Sequence, residues 1–98
     1  MRRGTSPKNT FLTSIDLTSA DVMYITYSQK GVTVIEKSLP DITVTADKIE
    51  VTLTQEDTLK FDAQQKLEIQ IRAKLDGEAI ASDIIETTVG KILKEGVI

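Results

Sequence analysis

Ninety-eight residues suit a single domain, and a chain of this size buries about 60–65% of its unfolded surface, enough for one modest core. With 40% apolar and 28% charged residues, the composition is that of a globular protein rather than a disordered one. Cysteine and histidine are both absent, which excludes a disulfide framework and a thiolate metal site, and removes the commonest general base and metal ligand.

The net charge of −3 hides an asymmetry. Residues 1–9 carry Arg2, Arg3 and Lys8 and no acid, which leaves nine basic against fifteen acidic groups in the remainder. A duplex-binding surface needs clustered cations, and residues 10–98 offer none, so no nucleic acid is expected as a partner. The opening "MRRGTSPKNTF" has no apolar core of a signal peptide, and no apolar run approaches the length that spans a bilayer. The expected location is the cytoplasm, unless an assembly carries the protein out. Gly4, Ser6 and Pro7 disfavour a central strand, so residues 1–9 read as a flexible basic arm preceding one domain over residues 10–98.

Strand signals dominate that domain. "TFLTSIDL" reads as an opening strand. "MYITYSQKGVTVIEK" reads as a hairpin turning at Lys30-Gly31, with Ile25, Tyr27 and Val34 facing inward. In "ITVTADKIEVTL", a turn at Ala46-Asp47 sets Val44 opposite Ile49 and Ile42 opposite Val51, all on one side. "KLEIQIRAKL" alternates strictly, with Leu67, Ile69, Ile71, Ala73 and Leu75 on one face, the period of a half-buried strand. Asp76-Gly77 then supplies the strongest short hairpin signal, since a type I′ turn needs positive φ at both central residues.

A two-residue loop there pairs Ala73 with Ile80 and leads into "EAIASDIIETTV". Ile80, Ile84, Ile85 and Val89 cannot share one face of a regular strand, so a bulge is expected near Ser82-Asp83. Its uncovered apolar surface needs the bulge, the C-terminal segment or another subunit. The tail "GKILKEGVI" suits one helical turn or a final strand, because Gly90 and Gly96 oppose a longer helix. About seven short strands with no long helix define the expected fold class: an all-β, antiparallel immunoglobulin- or fibronectin-III-like sandwich.

Between the second hairpin and the long strand lies "LTQEDTLKF". Its neighbouring acids, Glu56 and Asp57, invite a catalytic reading. Thr54 followed three residues later by Asp57 is instead the spacing of a capping box, and carboxylates are favoured at the start of a helical turn. Leu53, Leu59 and Phe61 would plug the end of the sandwich. A catalytic pair needs a pocket, a second acid at working distance and a raised pKa, and the stretch supplies none of these. The other aspartates, Asp16, Asp21, Asp41, Asp47 and Asp62, fall at turns and strand ends, where Asp bonds its local backbone. There is no Gly-rich phosphate loop, no G-x-S-x-G and no calcium loop. No catalytic, cofactor-binding or metal-ligating residue is therefore nominated, no cofactor or small-molecule substrate is expected, and the protein reads as a non-enzyme. Phe11, Tyr24, Tyr27 and Phe61 are too few for a stacking platform and read as core.

The segments "MRRGT-P", "ITYSQKG", "VTLTQEDTLKF", "LEIQIRAKL-DG-AIASDII" and "GKILKEGVI" resemble small uncharacterised phage and prophage proteins of Gram-positive bacteria across nearly the whole chain. The portion "LTQEDT-KF…IQIR" is also similar to the N-terminal immunoglobulin-like part of siphophage upper baseplate proteins. The resemblance implies a structural or assembly role in a tail or baseplate, with phage structural proteins or further copies of the chain as partners. It carries over no catalytic residue. The alternative is a free-standing immunoglobulin-like domain that binds a ligand such as cell-wall carbohydrate through its end loops.

Overall fold

The computed structural model of the chain covers residues 1–98. Eight strands form: β1 (Lys8–Leu12), β2 (Val22–Gln29), β3 (Val32–Ser38), β4 (Ile42–Val44), β5 (Lys48–Thr52), β6 (Lys66–Leu75), β7 (Glu78–Ala81) and β8 (Ile85–Thr88). A 3-10 turn over Leu39–Asp41 separates β3 from β4, and one short helix, α1 (Gln55–Leu59), separates β5 from β6. All strand pairings are antiparallel. They make a three-stranded sheet in the order β1-β5-β4 and a five-stranded sheet in the order β3-β2-β6-β7, with β8 also on β6. The chain is all-β with two antiparallel sheets.

Both sheets turn their apolar faces into one core. β4 and β5 contribute Ile42, Ile49 and Val51, while β2 and β6 contribute Met23, Ile25, Tyr27, Leu67, Ile69, Ile71 and Ala73. Alternation along β6 is what delivers its row: Leu67, Ile69, Ile71 and Ala73 are buried, and their neighbours are not. Leu53, Phe61 and Val89, each 1% exposed or less, close the core at the α1 end.

Tight turns set the registers. Lys30 and Gly31 have φ of 53° and 75°, and Asp76 and Gly77 have 52° and 82°. Positive φ at both positions is the type I′ geometry that matches strand twist. Ala73 therefore faces Ile80, as the Asp-Gly turn requires. Val44 meets Ile49 and Ile42 meets Val51 across Ala46-Asp47, although neither loop residue has positive φ; the Thr45 amide closes this turn on the Lys48 carbonyl at 2.9 Å.

The expected bulge after Ala81 is present and divides one return strand into two, which is why eight strands stand where about seven were expected. β7 lies along Arg72–Leu75 and β8 along Lys66–Ile69, with Ile69 opposite Ile85. Between them Ser82 replaces the ladder. Its amide donates to the Ile71 carbonyl (2.8 Å) and its Oγ accepts from the Ile71 amide (2.9 Å), while Gln70 Nε2 donates to the Ser82 carbonyl (3.0 Å).

A second bulge was not foreseen. The register between β2 and β3 shifts between Tyr27 and Ser28, so Tyr27 faces Ile35 and Ser28 faces Thr33. The extra residue moves Ile35 inward, at 6% exposure, and Val34, expected inward, only packs against the core edge.

Residues 1–9, expected to be a flexible basic arm, are instead docked, and Lys8 and Asn9 belong to β1. Arg2 bridges Gly90 in parallel, with the Arg3 amide donating to Gly90 O (3.0 Å) and the Gly90 amide to Met1 O (2.7 Å). Arg3 Nε and Nη2 donate to the carbonyls of Phe61 (2.8 Å) and Leu59 (3.0 Å), where the end of α1 leaves acceptors without intrahelical donors. The partners of this arm include backbone carbonyls, the Thr58 hydroxyl and two distant acids, Glu95 at 2.6 Å from Arg3 Nη1 and Glu50 at 2.8 Å from Lys8 Nζ; local sequence does not reveal such partners. The tail after Gly90 forms neither the helical turn nor a final strand. Its last residue is held by Gln55, whose Oε1 accepts from the Ile98 amide at 2.8 Å and whose Nε2 donates to Ile98 O at 3.2 Å.

Candidate functional site

The two neighbouring acids occupy different environments. Thr54 caps α1: its hydroxyl accepts from the Asp57 amide at 3.1 Å, and the Asp57 carboxylate accepts from the Thr54 amide at 3.0 Å. The capping box anticipated from the spacing is complete. Lys37 Nζ on β3 adds an ion pair with Asp57 Oδ2 at 2.9 Å. Burial raises the Asp57 pKa, but the Thr54 amide and the Lys37 ammonium together outweigh it and hold the carboxyl below its usual value. Glu56 is exposed and makes no hydrogen bond or ion pair. The pair does not converge on a pocket; Asp57 is a fastener and Glu56 a surface residue.

Next to this corner Tyr27 Oη donates to Asn9 Oδ1 at 2.8 Å, and burial with the nearby Asp57 charge raises the phenol pKa strongly. Tyr27 and Phe61 meet as a tilted pair with 6.0 Å between ring centres, and Phe11 packs against the same core. Tyr24 alone among the four rings is exposed, at 43%. Gln29 joins the end of β2 to the corner in the manner of a strand pair, its amide bonding both the Asp62 amide (2.8 Å) and the Asp62 carbonyl (3.0 Å). No group of three or more Asp or Glu side chains lies close enough to hold a metal ion, and no helix is long and apolar enough to cross a membrane.

The chemically distinctive surface lies at the other edge of the core. A cleft of about 380 Å³ opens between the end of β1 and the broken strand β7–β8, with ten of its fourteen lining residues hydrophobic. Leu12 and Ile15 form one lip, Ile80 and Ile85 the other, and Ile49 and Ile71 lie between them. Leu12 is 83% exposed, Ile15 49% and Ile85 40%. Asp83 is the one charged residue in the lining. Thr13 also lines it, and its Oγ1 is buried with no hydrogen-bond partner. Ile84 points to the opposite side of the large sheet, into a shallow polar hollow with Thr26, Ser28 and Glu68. Of the four apolar residues that no single strand face could hold, Val89 is fully buried and Ile80 half-buried, whereas Ile84 (54%) and Ile85 remain uncovered by the bulge or the tail.

Sequence reasoning located the corner and the crowded isoleucines of the return strand. It missed the β1 lip, because nothing in "TFLTSIDL" marks Leu12 and Ile15 as exposed while Leu17 is buried. No protein-family model, curated protein or solved structure matches the chain.

Proposed function

We propose that this chain is a non-enzymatic structural or assembly module that works by protein–protein contact. The observation that carries the reading is the apolar cleft whose lips, Leu12, Ile15 and Ile85, are left open to solvent; exposed apolar clefts of this kind mark interaction surfaces. The sequence resemblance directs the proposal to phage or prophage particles, as a component of a tail or baseplate, present in the bacterial cytoplasm during assembly or in the virion. The strand order supports an immunoglobulin-like body. Lettered in that fold's convention, β1-β5-β4 reads B-E-D and β3-β2-β6-β7 reads C′-C-F-G, the two-sheet order without its first strand.

Partners are structural proteins of the same particle or further copies of the chain, with no nucleic acid, membrane or small-molecule substrate. A carbohydrate-binding domain stacks sugars on exposed rings, and here three of the four rings lie in or against the core. Light scattering on the purified chain, with co-purification of the proteins encoded beside it, tests the proposal. Self-association or a stable complex is expected. A strict monomer that ignores those proteins and binds a cell-wall saccharide tightly would overturn it.

A further inference from the structure

Four strand edges are exposed in a molecule of two open sheets, and three of them are blunted. β4 is only three residues long, β3 carries the bulge at Val34, and the β7–β8 edge is broken at Ser82. Short strands and bulges are the ordinary defences against unwanted pairing. β1 has neither. Its five residues run in unbroken register along β5.

The β1–β5 ladder fixes which backbone groups β1 presents. The Leu53 amide donates to Pro7 O and the Thr13 amide to Asp47 O, both at the spacing of the β1–β5 register. Bonded pairs alternate in an antiparallel ladder, so Asn9 and Phe11 face β5 while the N–H and C=O of Lys8, Thr10 and Leu12 point away from it. None of those six groups has a hydrogen-bond partner in the chain. Lysine at an edge is itself a deterrent, but the Lys8 ammonium is drawn over β5 by Glu50 at 2.8 Å, away from the open side.

This free edge borders the apolar cleft, so one ligand can satisfy both. We infer that the β1 edge accepts an extended segment of another protein, which pairs with Lys8, Thr10 and Leu12 and lays alternate apolar side chains between Leu12 and Ile85. Strand addition of this kind draws affinity from the backbone and specificity from pockets for every second side chain. Charge decides the character of the segment. Asp83 lines the cleft, Asp16 sits between the lining residues Ile15 and Leu17, and Asp47 closes the far end of β1. The two cations of the β1–β5 pair, Lys8 and Lys48, are both drawn to Glu50, at 2.8 and 3.8 Å. The segment is therefore apolar at every second position and basic between them. The inference rests on the assembly reading and adds to it the mode and chemistry of the contact.

The probe is a nine-residue peptide alternating isoleucine with lysine and threonine, titrated into the isotope-labelled protein and followed by amide exchange and methyl shifts. Slowed exchange at Thr10 and Leu12, with shifted Ile80 and Ile85 methyls, is the expected result. Thr10→Pro removes one outward donor and leaves the β5 ladder intact, and it should weaken binding about three- to tenfold, the worth of one backbone hydrogen bond. Exchanging the peptide lysines for glutamate should weaken it too. Shifts confined to another face, or a Thr10→Pro variant that is folded and binds unchanged, would overturn the inference. So would protection of the same amides in the free protein at rising concentration, which would assign the edge to a second copy. A structural protein that co-purifies while Thr10 and Leu12 exchange freely keeps the assembly reading and sinks this one. Peptide binding at β1 without any co-purifying protein does the reverse.

Discussion

Lys37 on β3 sets its ammonium 2.9 Å from the carboxylate of Asp57 on α1, with 17% and 12% of the two side chains exposed. One contact thus ties the β2–β3 hairpin to the helical corner between β5 and β6. The same carboxylate also accepts from the Thr54 amide, so a single group serves a cap and an ion pair. Removing it leaves Lys37 half-buried and unpaired. Asp57→Ala should cost about 2–4 kcal/mol, combining a lost cap with a lost charged hydrogen bond. Glu56→Ala should stay within about 0.5 kcal/mol of wild type. Urea denaturation of the two variants separates the roles.

The pH dependence has a definite sign. The Asp57 pKa is lowered in the folded chain, so its contribution is present above the unfolded value of about 3.9 and disappears as pH falls through the lower folded value. Stability should decline on acidification below about pH 4, and the slope should flatten in Asp57→Asn. Thermal melts of both proteins between neutral pH and pH 2 measure the difference.

Phe61 is 1% exposed and packs against the Tyr27 ring, 6.0 Å between centres. Phe61→Ala removes that burial and leaves a cavity, so it should cost about 3–5 kcal/mol. Against a typical domain stability of about 5–15 kcal/mol, the variant should be marginal or unfolded by circular dichroism at 37 °C.

Docking of the N-terminus makes a further prediction. Arg3 donates to Phe61 and Leu59 carbonyls and pairs with Glu95. Arg3→Ala should cost about 1–2 kcal/mol, a fall of roughly 4–16 °C in melting temperature for a domain of this size. An unchanged melting temperature would restore the flexible arm that the sequence suggests.

These contacts also show what the sequence made legible. Local chemistry sufficed wherever a turn or cap imposed its own geometry. Asp76-Gly77 placed Ala73 opposite Ile80, the spacing of Thr54 and Asp57 announced the capping box, and the crowded Ile84 and Ile85 announced the bulge. What escaped depends on contacts between residues far apart in the chain. Val34 and Ile35 are both β-branched, and only the register shift beside Tyr27 decides which one turns inward. Arg3 finds acceptors 56 and 58 residues away, and Asp57 finds Lys37 across the corner. The β1 edge was hidden for the same reason: whether a strand lies at a border is a property of sheet order, which periodicity does not encode.

The central claim is that the chain acts by binding other protein chains through the cleft beside β1. Native mass spectrometry of the chain co-expressed with the proteins encoded beside it, alongside Ile85→Lys, tests this most directly. Ile85 is 40% exposed, so the substitution should leave folding intact. A complex with the wild-type chain that is lost in Ile85→Lys is the predicted result. A complex formed equally by both chains, or no complex with either, would contradict the claim.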